Sequence, residues 1–325
     1  MDANKFFETL GIHLDLALEA TEALRGDAQK EIPGVSETKE EHSHATVTTI
    51  KILDKTGQQI MGRPEGSYIT IEAPELAIKD KEIYEEISSI VANKIVELMQ
   101  DLKIDKDASV LLVGLGNWNA TPDALGPEVV ENSLVTRHLF HYAPSELTGG
   151  LREVSAIAPG VLGITGIETA EIIKGVVEKL SPGLIIAIDA LAASNLNRVG
   201  TTIQLTNTGI NPGSGIGNKR TGINLNTMGT PVIAIGVPTV VHAAVIAFEV
   251  FASLTQNNPY LTQQITEEKM QAIVGQILEP FGGQLVVTPK EVDELIFQTA
   301  KVIATGINQG LHPRIETGNS SFYLQ

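Results

Sequence analysis

The chain has no cysteine among its 325 residues. This absence excludes a thiol nucleophile, a disulfide framework and any metal site built on cysteine ligands, and it fits a reducing cytoplasm. Aromatic residues are also scarce, at 4% of the sequence, so the core is expected to consist of Val, Ile, Leu and Ala. A core of that kind is typical of buried parallel strands covered by helices on both faces.

Positive charge is in short supply as well. The sequence has 23 Lys plus Arg against 39 Asp plus Glu, which gives a formal net charge of −16. Phosphate binding needs local positive charge, so DNA or RNA is not expected as a direct partner. The N-terminal residues lack a basic region followed by an apolar core, and we therefore expect no signal peptide.

One apolar stretch, residues 230–254, is long enough to cross a bilayer. Pro238, His242 and Glu249 interrupt it, and VIAIGVP is typical of a buried strand that runs into a helix. We therefore expect no membrane span. His242 is expected to be a hydrogen-bonded core histidine within the following apolar helix.

Three different patterns occupy the first hundred residues. Residues 1–30 have a helical apolar stripe and predict an N-terminal arm, whereas residues 31–45 are polar and predict a loop. Two alternating runs, ATVTTIKIL and SYITIEA, predict a small antiparallel addition over residues 46–80. A long amphipathic helix is expected from Glu82 to Leu102.

From residue 109 onward, apolar strands alternate with helices. Such alternation predicts a three-layer α/β fold, with a mostly parallel sheet and helices on both faces, because each crossover must return across a face of the sheet. The predicted strands are 109–116, 154–160, 184–191, 201–206 and 231–238. The predicted helices are 127–140, 168–180, 239–254, 266–279 and 289–307.

Two aspartates lie where predicted strands end. Asp189 ends the apolar run IAID, and Asp123 follows the strand at 109–113 within GLGNWNATPDALGP. In open α/β sheets ligands bind beyond the carboxyl ends of the strands, so these side chains could face one cleft. Two nearby carboxylates share a proton, which allows one to assist a carbonyl and the other to activate water. The alternative is that each aspartate only caps a turn or helix.

Other patterns in the same loops leave alternatives open. GLGNWN begins like a dinucleotide fingerprint, but Asn119 stands at the third glycine position. GSGIGNKR is either a solvated loop or a flap whose Lys219 and Arg220 attract acidic substrate side chains. Trp118 either lines a cleft or covers the strand end. No H-E-x-x-H or G-x-S-x-G motif occurs, which disfavours a helix-borne zinc protease and a serine hydrolase.

The sequence resembles the germination proteases of spore-forming bacteria. The resemblance rests on GLGNWNATPDALGP, VTRHLF, VSAIAPGVLGITGIET, IIAIDALAAS, TGINPGSGIGNKR, PVIAIGVPTVV and VTPKEVDELI, which occur in the family's order. It is close over residues 105–245 and looser in the flanks. It implies a phosphorylase/hydrolase-like fold, related in architecture to hydrogenase maturation peptidases.

The resemblance also implies an atypical aspartic endopeptidase that needs no cofactor or metal and cuts small acid-soluble spore proteins in the forespore or spore core. The family's catalytic aspartates correspond to Asp123 and Asp189. Family members are homotetramers made as zymogens, which implies self-cleavage of the Asp15–Leu16 bond in HLDLALEA. Residues 1–15 would then be a propeptide and residues 16–325 a single peptidase domain.

The chain departs from the family pattern in several places. SNLNRVG follows IAIDALAA where an Arg and an acid are common, NTG replaces DTG or DSG at 207–209, and His242 stands at a common Asp position. These differences bear on substrate preference and assembly. Two other functions stay open at this point: a metal-assisted hydrolase or metal chaperone of the hydrogenase-maturation-peptidase type, and a nucleotide-binding module.

Overall fold

A computed structural model describes residues 6–7, 18–19, 21, 31–142, 150–212, 220–256, 258, 260 and 265–313. Within them the chain forms one sheet of nine strands with helices packed on it. The strands are β1 (Val35–Glu41), β2 (Thr46–Ile52), β3 (Gly66–Glu72), β4 (Val110–Gly114), β5 (Val154–Ile157), β6 (Leu184–Ala193), β7 (Thr202–Thr206), β8 (Val232–His242) and β9 (Val286–Val287).

The helices follow the strands in the chain order expected of an α/β protein. They are α1 (Lys55–Met61), α2 (Lys81–Asp101), α3 (Leu125–Glu131), α4 (Arg137–Tyr142), α5 (Leu162–Thr165), α6 (Thr169–Leu180), α7 (Leu225–Met228), α8 (Ala243–Gln256), α9 (Glu267–Leu278) and α10 (Val292–Leu311). Short 3₁₀ turns span Pro74–Ala77, Thr121–Asp123, Leu196–Arg198 and Glu279–Phe281. Of the helices so described, none is long and apolar enough to cross a membrane.

The α/β class is confirmed, but the sheet is mixed and not mostly parallel. Its strand order is β1-β2-β3-β7-β8-β6-β4-β5, with β9 paired to β8. Among the strands of the described residues, only the pairs β4–β5, β4–β6 and β6–β8 are parallel. The connection 194–201 between β6 and β7 holds a single 3₁₀ turn, too short for the helical crossover that a parallel strand needs. β7 therefore runs antiparallel to β8 and carries the N-terminal strands on its other side.

The N-terminal strands are antiparallel, as predicted, and they continue the main sheet through the pairing of β3 with β7. The prediction of a loop over residues 31–45 is wrong for Val35–Glu41, which forms β1 along the whole of β2. Its side chains are exposed and mostly polar, so they lack the apolar alternation that marks a strand. Charged residues on an edge strand also discourage pairing with another chain.

Two predicted helix boundaries were wrong because backbone groups find partners far away in the sequence. The helix predicted at 127–140 breaks after Glu131, since the Leu134 N–H donates to Asn308 Oδ1 at 2.8 Å. The helix predicted at 239–254 begins only at Ala243, because β8 continues through His242. His242 is buried and hydrogen-bonded as expected, with Nε2 2.8 Å from the Gly283 carbonyl, but it ends a strand.

Aliphatic side chains cover both faces of the sheet, as the composition predicted. On one face α2, α3 and α10 pack on alternate residues of β3, β4, β6, β7 and β8. On the other face α6 and α7 pack on the remaining residues of β4 and β6. The helices therefore form outer layers on a central sheet, and they leave the ends of β4 and β6 to carry loops.

Little of the predicted N-terminal arm falls within the described residues. Phe6 and Phe7 pack against α8, and Leu18 packs beside Ile50 and Tyr68 of the antiparallel strands. The expected processing site, Asp15 and Leu16, and the flap residue Lys219 lie outside the described residues. The division into residues 1–15 and 16–325 stays a prediction.

Candidate active site

Asp123 is held in a tight turn beyond the end of β4. The Leu115 N–H donates to the Ile188 carbonyl at 2.8 Å and so extends the pairing of β4 with β6 by one residue. The Asn117 N–H then donates to the Asp123 carbonyl at 3.0 Å, and the Asp123 N–H donates to the Ala120 carbonyl at 2.7 Å. These bonds fold the segment back on itself and fix the position of Asp123.

The turn depends on a glycine and on a neighbouring strand. Gly116 has φ +121°, and a Cβ atom there would overlap the Asp123 carbonyl oxygen. From the side of β8, the buried Thr239 hydroxyl donates to the Pro122 carbonyl at 2.7 Å. The sequence predicted the end of a strand at Pro238 and gave Thr239, the next residue, no role. The hydroxyl directly after a buried apolar run was the signal that could have identified it.

Asp189 lies within β6 itself. It pairs in register with Gly236 of β8, and its side chain is on the sheet face that Ile185 and Ala187 also cover. The residue is 5% exposed, and its Oδ1 accepts the N–H of Ala190 at 3.0 Å. The Asp189 carboxyl group is therefore shielded from solvent, and the apolar run before it had predicted this burial.

The structure brings the two aspartates to the same edge of the sheet. Strands β4 and β6 are parallel neighbours, so their carboxyl ends meet there. The Thr121–Asp123 turn contacts both β6 and β8, and Asp189 directly follows Ile188, which binds Leu115 at the start of the Asp123 segment. Two acidic residues from distant parts of the sequence thus lie near the same end of the parallel strands, where α/β sheets bind ligands.

The environment of Asp123 favours its protonated form. Burial raises the pKa of Asp123 from 3.8 to about 6, an effect that the Asn117 N–H and the positive charge of Arg220 only partly oppose. A carboxyl group with a pKa near 6 exists in both protonation states close to neutral pH, which is what an acid–base catalyst requires.

Two further residues from the sequence analysis lie beside this turn. Arg220 is close enough to Asp123 for its charge to act on the carboxyl group, and it is half-buried. Trp118 lies between Asn117 and Asn119 and is 47% exposed, so its indole ring is accessible to a bound chain.

Within the described part of the chain, no three His, Asp or Glu side chains are grouped so that they could hold a metal ion.

Comparison with known proteins identifies the family. The family model described as germination protease matches residues 13–258 and 259–324. The chain is 50% identical to a germination protease of Caldanaerobacter subterraneus subsp. tengcongensis, over 94% of this chain and 95% of that one. It is 44% identical to one from Clostridium tetani, covering 97% and 100% of the two chains, and 42% identical to one from Bacillus subtilis, covering 99% and 98%. The chain therefore belongs to the germination proteases, a family of peptidases of spore germination.

Proposed function

We propose that this protein is an aspartic-type endopeptidase that begins the degradation of small acid-soluble spore proteins, with Asp123 and Asp189 as the catalytic pair. The observation that carries the proposal is the raised pKa of Asp123 at the sheet edge that it shares with the buried Asp189. Membership of a peptidase family makes peptide-bond hydrolysis the reaction to be explained.

The pair can divide the work of hydrolysis. The ionised carboxylate takes a proton from a water molecule as the water oxygen attacks the scissile carbonyl carbon, while the protonated carboxyl group donates a hydrogen bond to the carbonyl oxygen. The C–N bond then breaks as the nitrogen receives a proton from the pair. The pair titrates as a unit, so which aspartate holds the proton depends on the bound state.

Substrate recognition would use the residues around the turn. Arg220, which Lys219 precedes in the sequence, carries positive charge that suits an acidic substrate residue. The exposed Trp118 offers an apolar surface to the substrate residue that follows the acidic one. A substrate with an acidic residue before an aliphatic one fits this arrangement. The chain's own Asp15–Leu16 has that pattern, and residues 1–15 would be removed there to convert the zymogen into the active enzyme.

Burial of Glu19 supports anchoring of the segment that follows the processing bond. Glu19 is 4% exposed, its Oε1 accepts the Ser194 N–H at 3.2 Å, and the Arg198 guanidinium lies 3.4 Å from the same oxygen. Ser194 directly follows β6, the strand that carries Asp189. The new N-terminus would thus remain attached to the catalytic strand after cleavage.

The test is to replace each aspartate by asparagine, with Asp107→Asn at an exposed position as the matched control. We expect Asp123→Asn and Asp189→Asn to abolish both cleavage of a purified small acid-soluble spore protein and the appearance of a new N-terminus at Leu16. The control should retain both activities. Full activity in either Asp123→Asn or Asp189→Asn would refute the mechanism.

Light scattering of the same samples would test the homotetramer that the family resemblance implies.

A further inference from the structure

Strand β8 has an irregularity close to the candidate active site. The register of its parallel pairing with β6 shifts between Leu191 and Ala192, which leaves Thr239 of β8 with no opposite residue on β6. An extra residue on one strand of a pair is a β-bulge, which is rare in parallel pairs. Bulges redirect side chains and occur often beside active sites. This bulge follows Gly236, the in-register partner of Asp189, on the same strand.

Two backbone carbonyls at the bulge accept hydrogen bonds from segments outside the β6–β8 pair. The Pro238 carbonyl accepts the Gly200 N–H, from the connection between β6 and β7, at 2.7 Å. The Thr239 carbonyl accepts the Thr288 hydroxyl at 2.9 Å. These carbonyls belong to the two planar peptide groups on either side of the Thr239 Cα atom, so the two bonds together hold φ and ψ of the bulged residue.

With its backbone held, Thr239 directs its hydroxyl at the Asp123 turn. The side chain is 1% exposed, and its Oγ1 donates to the Pro122 carbonyl at 2.7 Å. Pro122 directly precedes Asp123 in the sequence. Two successive hydrogen bonds therefore link the Thr288 hydroxyl to the turn that holds the proposed catalytic carboxyl group.

Thr288 is itself fixed by the elements on either side of it. It follows β9, in which Val286 and Val287 pair with the end of β8. On its other side, the Pro289 carbonyl accepts the Val292 N–H at 3.2 Å, where α10 begins. The Thr288 hydroxyl can therefore hold the bulge in one conformation.

We propose that Thr288 is a positioning residue for peptide-bond cleavage and that it acts through Thr239 to hold the Asp123 turn in place. A displacement of about 1 Å in an active site can slow a reaction about 100-fold, so a partial loosening of the turn has a measurable cost. Both hydroxyl groups are uncharged, so their removal changes the position of the turn and not the charge of the site. The inference rests on the proposed catalytic role of Asp123.

The test compares kcat and KM of the full chain for a purified small acid-soluble spore protein, at equal extents of N-terminal processing. Thr288→Val removes the hydroxyl and keeps the shape, so kcat should fall about 2- to 10-fold, the factor that one hydrogen bond contributes, with KM unchanged. Thr288→Ala should behave in the same way, whereas Thr288→Ser keeps a hydroxyl and should keep the original kcat. Thr255→Val, the matched control, loses a hydroxyl that donates to the Phe251 carbonyl within α8 and should change neither constant.

A double-variant cycle tests whether Thr288 acts through Thr239. Thr239→Val should lower kcat by itself, and adding Thr288→Val to it should cause no further fall, because the Pro122 carbonyl has already lost its donor. Independent losses that multiply would overturn the inference. Full kcat in Thr288→Val, a rise in KM in place of a fall in kcat, or an equal loss in Thr288→Ser or Thr255→Val would do the same.

Asp123→Asn separates this inference from the proposed function. Full activity of that variant would refute the aspartate mechanism itself. An inactive Asp123→Asn together with an unchanged Thr288→Val would refute only the positioning role of Thr288.

Discussion

The two halves of the sheet bury different kinds of side chain. The parallel half (β5, β4, β6 and β8) buries almost only aliphatic side chains until Asp189. The antiparallel half (β1, β2, β3 and β7) buries hydroxyl and amide groups as well as aliphatic side chains. Thr48, Thr70 and Gln204 stand opposite one another on adjacent strands, and their row continues in register through Gly236 to Asp189. A single polar row thus crosses the sheet and ends at the proposed catalytic carboxyl group.

The difference follows from strand direction. Parallel strands bring all their carboxyl ends, and the loops that follow them, to one edge, so polar groups can be confined to that edge. Antiparallel strands return through short hairpins and place their polar groups along a face. We infer that the parallel half carries the chemistry, and the following predictions test whether substitutions in the two halves differ as this requires.

The largest effect on activity is expected from a glycine in the parallel half. Gly116→Ala would drive a Cβ atom into the Asp123 carbonyl oxygen and displace the carboxyl group, so cleavage of a spore-protein substrate should fall at least about 100-fold. Gly62→Ala in the antiparallel half is the matched control. Gly62 also has a positive φ, +63°, but open space around it, so activity should persist with a loss of about 1 kcal/mol in the free energy of unfolding. Equal activity in the two variants would contradict the inference that the parallel half carries the chemistry.

A pH-dependent stability effect is expected from Asp123 in the parallel half. Because burial raises the pKa of Asp123 from 3.8 to about 6, the folded chain binds this proton more tightly than the unfolded chain. The resulting stabilisation is complete below pH 3.8 and is lost as the pH rises through about 6. Asp123→Asn should therefore raise the free energy of unfolding at pH 7.5 by up to about 3 kcal/mol, and the gain should vanish near pH 4.

Urea unfolding at the two pH values measures this difference directly. Glu65→Gln, at an exposed position just before β3 in the antiparallel half, is the control and should show no such gain. A stability difference for Asp123→Asn that stays constant between pH 4 and pH 7.5 would mean that the carboxyl group is not desolvated in solution.

The apolar segments of the fold could be predicted from sequence because local pattern alone determines them. The strand around Leu112 and the helix Lys81–Asp101 were found within a residue or two, and Asp123 was correctly placed beyond a strand end. Asp189 was expected at a strand end but lies within β6, which continues to Ala193. Hydrophobic runs and helical stripes are local signals, and the rule that ligands bind at carboxyl ends then identifies Asp123 and Asp189 as candidates.

What could not be predicted depends on partners distant in the sequence. The exposed, charged β1 has no apolar pattern of its own. It forms only because the backbone of β2 provides hydrogen-bond partners along its whole length. The break after Glu131 requires Asn308, 174 residues beyond Leu134, to accept its N–H. Thr239 likewise gains its role only because the fold brings it to Pro122. Single-sequence patterns cannot show such long-range hydrogen bonds, since nothing in the local sequence marks the partner.

The smallest expected effects come from a matched pair of threonines. Thr239→Val in the parallel half removes the hydroxyl that donates to the Pro122 carbonyl at 2.7 Å and leaves that carbonyl unpaired beside Asp123. The free energy of unfolding should therefore fall by about 1–3 kcal/mol, and peptide cleavage should slow. Thr70→Val in the antiparallel half removes a buried hydroxyl with no partner among the described residues, so stability should hold or rise by up to about 1 kcal/mol with cleavage unchanged. The two substitutions change shape equally and differ only in whether a hydrogen bond is lost. If Thr70→Val were as damaging as Thr239→Val, the polar row of the antiparallel half would have to support the site as directly as the turn does.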